Sequence, residues 1–199
     1  MDTRAEELLA FWLGPLDGDG LAAPAFEARW FAKDAAFDGE LRRRFGALHE
    51  AACAGRLEDW AGSPRGRLAL VLLLDQLSRN LQRGRAEAFA GDARALAHAR
   101  AALTRGEDLA LALCERVFLY LPFEHAEDRK AQELAVERFR LLAAAAPERA
   151  RARFASFLDY AIRHREVIER FGRFPHRNPA LGRASTPEER AWVEREGGF

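Results

Sequence analysis

Residues 68–74 read Leu-Ala-Leu-Val-Leu-Leu-Leu, a run with almost no polar side and far too short to cross a membrane. Ser63-Pro64 stands before it, a capping residue followed by proline at the first helical position. A helix apolar nearly all round has to be buried nearly all round. The rest of the chain must therefore wrap it. No segment alternates apolar and polar residues with β-branched character, and Thr, Val and Ile are few. The wrapping layers are therefore predicted to be helices as well.

The 199 residues, 49% of them apolar, suffice for a single domain over 1–199 with a true core. Formal net charge is zero, which removes a global attraction to nucleic acid. Lys33 and Lys130 are the only lysines, so arginine carries nearly all the positive charge. Cys53 and Cys114 form no CxxC pair and read as small buried thiols. The opening Met-Asp-Thr-Arg-Ala-Glu-Glu has acids where a signal peptide carries positive charge, so a soluble cytoplasmic protein is expected, without a membrane partner.

In chain order, helices are predicted over 2–13, from Pro24, over 34–53, from Pro64 through the apolar run, over 93–104, over 108–121, over 127–145 and from Pro147 to about Phe171. Phe37, Leu41, Phe45 and Leu48 make a one-face stripe on the third. Asp92 is the candidate cap of helix 93–104, and Pro122 should close helix 108–121. Thr186-Pro187-Glu188-Glu189 has the residues of a capping box and should start a last short helix anchored by Trp192. The expected architecture is all-α, with eight or nine helices.

Polar residues that interrupt apolar faces are the candidates for chemistry. Asp75 and Arg79 continue the stripe of Leu68 and Leu72, and a charge entering such a stripe needs a partner. Arg116 shares a face with Leu109, Leu113 and Tyr120, where it can snorkel outward or pair with a carboxylate. Phe123-Glu124-His125-Ala126-Glu127-Asp128 places one imidazole among three carboxylates at a helix start. His164 falls on the inward stripe Phe154, Phe157, Ala161, Ile168, Phe171. From Arg163 to Arg183 six arginines face Glu166 and Glu169, a local excess of four positive charges in a neutral chain. Structural ion pairing for Asp75, Arg79 and Arg116, and a satisfied core histidine for His164, explain these features more simply than a ligand does. His125, His164 and His176 lack metal-ligand spacing, so no metal site is expected.

The segments Leu72–Gly84, Ala88–Leu96, Arg116–Val136 and His164–Glu189, with Trp30-Phe31 before them, together resemble the bacterial domain-of-unknown-function family number 924 over essentially the whole chain. Leu77 stands where that family has Phe in DQFxRN, and Ala126 replaces the serine of its HSE, which removes a hydroxyl as nucleophile at that position. The loop Gly172-Arg173-Phe174-Pro175-His176-Arg177-Asn178 matches closely. The resemblance implies antiparallel helical hairpins stacked in a tetratricopeptide-like superhelical domain. It implies no activity and no cofactor.

Taken together, these features suggest binding of a small anionic metabolite or an acidic peptide terminus. The ligand-facing set is Arg79, Asn80, Arg116, Glu127, Arg173, His176, Arg177, Asn178 and Arg183. His125, His164 and Asp75 are the candidates for proton transfer, should the protein be a hydrolase or isomerase of such a molecule. A protein-interaction scaffold is the third reading, and a homodimer is compatible with all three.

Overall fold

A computed structural model describes residues 2–199, and all its regular elements are helical. The helices are α1 (Thr3–Leu13), α2 (Pro24–Trp30), α3 (Ala35–Cys53), α4 (Pro64–Val71), α5 (Ser78–Leu81), α6 (Asp92–Thr104), α7 (Leu113–Glu124), α8 (Arg129–Ala145), α9 (Arg151–Phe171) and α10 (Pro187–Glu196). Among the described residues no helix is long and apolar enough to cross a membrane. The chain divides into two compact units. One holds the residues up to Arg83 together with Glu87–Pro122, and the other holds Gly84–Ala86 and Phe123–Phe199.

The first unit is built on the apolar run. The Ser63 hydroxyl accepts from the Gly66 N–H at 3.2 Å and starts α4. The rod then widens into a π-helical segment, Leu72–Leu77, before α5 continues it. Leu68 to Leu74 are at most 1% exposed. Helices α1, α3 and α6 pack on this rod. Gly91 touches the π segment so closely that a Cβ there would press into the Leu74 carbonyl. Complete burial of each Leu contributes about 1.5–3 kcal/mol, so the run is the main apolar anchor of this unit.

Several boundaries differ from those the sequence suggests. Residues Glu107–Ala110 form a short 3-10 turn, and α7 begins only at Leu113. Pro122 sits inside α7, which continues to Glu124. Proline removes one helical N–H, but Leu121 and Phe123 on either side are 5% and 0% exposed, and their burial compensates for it. Leu109 lies outside the helix and is 71% exposed, so it shares no buried face with Arg116. Arg116 instead donates to the Leu111 and Leu109 carbonyls at 2.8 and 3.1 Å and ties down the turn.

Gly91, not Asp92, occupies the cap position of α6, and the Asp92 side chain is taken by Arg79. On α3 the buried stripe continues from Phe45 to His49 and Ala52, leaving Leu48 half-buried. Cys114 is buried as expected, but Cys53 is exposed because it ends α3 at the surface.

The second unit is organised on α8 and α9, which pack along their lengths after a short connection containing the turn Glu148–Ala150. Asp128 caps α8 by accepting from the Ala131 N–H at 2.8 Å, so Glu127 lies just outside the helix. Phe139 and Phe154 are 1% and 0% exposed on the two helices. The capping box of α10 forms between Thr186 and Glu189. Trp192 then packs on Val167, Ile168 and Phe174, with Phe171 and Val193 at the edge.

Candidate functional site

Helix α9 stops at Gly172, whose positive φ turns the chain into the loop that returns toward α10. Phe174 follows and is fully buried. Pro175–Arg177 form a short turn that brings His176 and Arg177 to the Phe174 ring.

Two carboxylates fasten this loop. Glu189 accepts from Arg173 Nε at 2.6 Å and Nη2 at 2.8 Å, from the Thr186 N–H at 2.8 Å and from Asn178 Nδ2 at 3.3 Å. The Arg173 guanidinium, with these N–H donors, holds the Glu189 carboxyl down to about 2. Glu127 accepts from Arg183 Nη1 at 2.6 Å and Nη2 at 2.9 Å, and from the Phe174 N–H at 2.8 Å. Burial pushes the Glu127 carboxyl up, but Arg183 and the Phe174 N–H outweigh it and the net shift is downward. Arg183 also donates to Asn178 Oδ1 at 2.9 Å. Arg173, Arg183, Asn178 and Glu127 are thus the fastening of the loop.

The candidate histidines of the unit and Arg177 gather near His164. Its Nδ1 lies 2.8 Å from the Tyr160 carbonyl oxygen and 3.2 Å from Glu124 Oε1. A carbonyl oxygen only accepts, so Nδ1 carries the hydrogen and the lone pair of the neutral ring is on Nε2. Glu124, itself buried, faces the same N–H. The His125 ring is 6.1 Å away, centroid to centroid. Gln132 holds the turn that presents His125, donating to the carbonyls of Glu124 at 2.6 Å and Ala126 at 2.8 Å. Phe174 meets the His164 ring edge-on at 5.5 Å, and the Arg177 guanidinium lies 4.4 Å over the Phe174 ring.

Burial first, then the charges of His125, Arg177 and His176, keep the His164 pKa well below the usual imidazole range, although the Tyr160 carbonyl pulls it back in part. His164 is therefore held as a neutral imidazole.

Ligand atoms of Glu124, His125 and His164 lie within 4.8 Å of one another, close enough in number and type to hold a metal ion. Ligation through Nδ1 would strip the hydrogen that the Tyr160 carbonyl receives, which leaves Nε2 as the ligand atom of His164.

The second unit therefore brings together His125, His164, His176 and Arg177. Of the other candidates, Glu127, Arg173, Asn178 and Arg183 fasten the loop in the same unit, and Asp75, Arg79, Asn80 and Arg116 belong to the first unit. There Arg79 meets Asp75 at 3.0 Å and both oxygens of Asp92, Asn80 donates to Asp38 at 2.7 Å, and Arg116 ties its own turn. Two members of the cluster were missed. Glu124 was visible beside His125 but passed over for Glu127. Phe199 stacks on His164 at 3.6 Å, and its only signal was an aromatic residue after Gly197-Gly198.

Residues 8–197 match a family model described as a bacterial protein of unknown function, DUF924. A solved structure of a protein of unknown function, ATU0120 from Agrobacterium tumefaciens, is 40% identical and superposes with a TM-score of 0.82. The similarity covers 97% of this chain and 98% of that one. No functionally curated protein matches.

Proposed function

This chain belongs to the bacterial DUF924 family of unknown function, and from that premise we propose that its second unit binds a small anionic molecule beside His164. The observation that carries this reading is one buried neutral ring with His125, His176 and Arg177 gathered near it. His125, His176 and Arg177 all disfavour a proton on His164. Glu127 and Glu189, the carboxylates that fasten the loop, are engaged by Arg183 and Arg173, while Glu124 faces the His164 Nδ1–H. An anion entering the cluster meets these three groups, and His125, half-buried, is placed to donate to it.

A second reading follows from the fixed tautomer. With Nδ1–H held by Tyr160 and Glu124, His164 offers Nε2 as a proton acceptor, as a hydrolase or isomerase of the same ligand would need. Tetratricopeptide-like stacking of helical hairpins belongs to the same proposal, with the α8–α9 pair as its support.

Calorimetric titration with phosphate, acetate and a short acidic peptide tests the binding reading. At least one of them is expected to bind, and His125→Gln is expected to weaken that binding by roughly ten- to a hundredfold, the worth of one charge-assisted hydrogen bond. Equal affinity in the variant would remove His125 from the site. Absence of binding across the three anions would remove the reading itself.

A further inference from the structure

Phe199 occupies an unusual position. Its ring is stacked on His164 at 3.6 Å with a 20° tilt. Phe174 and His176 meet it edge-on at 6.1 and 5.8 Å, and Trp192 lies at 6.1 Å. The Arg163 guanidinium stands 5.8 Å from the ring centroid. One ring thus has four aromatic neighbours and a cation, yet it is 38% exposed. The enclosure is a box for a flat ring with one side open. A groove of about 260 Å³, lined by Phe199 and Trp192 with Arg163, Arg170 and Arg195 beside Glu166 and Glu196, opens next to the ring.

The backbone that delivers Phe199 is specialised for the task. Gly197 and Gly198 have φ of 73° and 96°, a region that disfavours L side chains. A Cβ on Gly198 would lie 2.7 Å from the His176 Cβ, so only glycine lets the chain approach His176 this closely. These ring contacts still leave one side of Phe199 open to water.

We infer that the box around Phe199 is the ring subsite of the anion site, that its ligand is a planar aromatic carboxylate, and that Phe199 is a competing occupant the ligand displaces. This inference rests on the anion reading above. It adds the ring to the charge. The His164 face and the edges of Phe174 and His176 receive the aromatic ring, and Arg163 is within reach of its carboxylate. The plug and the ligand have the same shape, so the site is closed when empty without any separate lid.

The experiment is calorimetric titration of the wild type and Phe199→Ala with benzoate, acetate and phosphate. Benzoate is expected to bind Phe199→Ala roughly tenfold more tightly than the wild type, the worth of one displaced aromatic contact set. Acetate and phosphate are expected to bind both proteins alike. Acetate or phosphate binding with no gain for benzoate in the variant overturns the ring subsite and leaves the anion reading standing. No binding of any of the three to either protein overturns both. Gly198→Ala gives an independent check, because its methyl group moves the turn off His176 while keeping the Phe199 ring. It must shift benzoate affinity in the same direction as Phe199→Ala, and a shift the other way overturns the inference, including where Phe199→Ala fails to fold.

Discussion

Arg79→Met is expected to cost about 3–5 kcal/mol of stability, the usual result of removing one partner from a buried ion pair. Asp75 is fully buried at the end of the apolar run, and Arg79 Nη1 lies 3.0 Å from its Oδ1. Arg79 also donates to the Asp75 carbonyl at 3.0 Å and to both Asp92 oxygens at 2.9 and 3.1 Å. Burial opposes the Arg79 charge, but Asp75 and Asp92 outweigh it and its pKa is raised. Loss of the guanidinium therefore leaves Asp75 charged and under-compensated inside the π segment, with the Gln76 amide at 2.7 Å as a remaining donor. Urea denaturation at neutral pH reads the effect. The double variant Asp75→Asn with Arg79→Met should recover a large part of the loss, since it removes the stranded charge. A single-variant cost below about 1 kcal/mol, the value of an exposed pair, would mean that the pair does not hold the rod.

Glu189→Gln is the second large effect, expected at about 2–3 kcal/mol because several hydrogen bonds to one charged acceptor are weakened together. It also has a pH signature. The folded-state carboxyl sits at about 2, below the ordinary glutamate value of 4.5. A depressed folded pKa stabilises the native state above the unfolded pKa, and that contribution is lost as pH falls through the folded one. Wild-type protection of the Gly172–Arg183 amides from exchange should therefore decline between about pH 4.5 and 2. The Gln variant should be weaker at pH 7 and lack this component of the decline. A variant matching the wild type at both ends of that range would show that Glu189 does not fasten the loop.

Most helices were legible because their signals are local. Ser63-Pro64 and the Thr186 capping box mark starts that involve neighbouring residues only, and both form. The α7 boundary was not legible, because Pro122 is tolerated through burial of Leu121 and Phe123, and burial is set by residues distant in sequence. The same distinction separates the parts of the site. His164 was placed inward by helical periodicity, and the structure buries it. Its coupling to Glu124 and Phe199 depends on segments 40 and 35 residues away in the chain, which no spacing rule links. The loop arginines were misleading for the opposite reason. Their density in sequence suggested a cationic surface, but Arg173 and Arg183 are matched one to one by Glu189 and Glu127. The proposed anion site is the smaller group of His125, His164, His176 and Arg177.

That group can be tested with the protein's own reporters. The chain has five histidines, and His49 and His98 belong to the first unit. Ring nitrogen and carbon shifts of all five, followed by NMR at neutral pH as benzoate or phosphate is added, separate site binding from general ionic effects. The proposed function predicts saturable shifts at His125, His164 and His176 with His49 and His98 unmoved. Uniform small shifts at all five, or none at saturating anion, would contradict it.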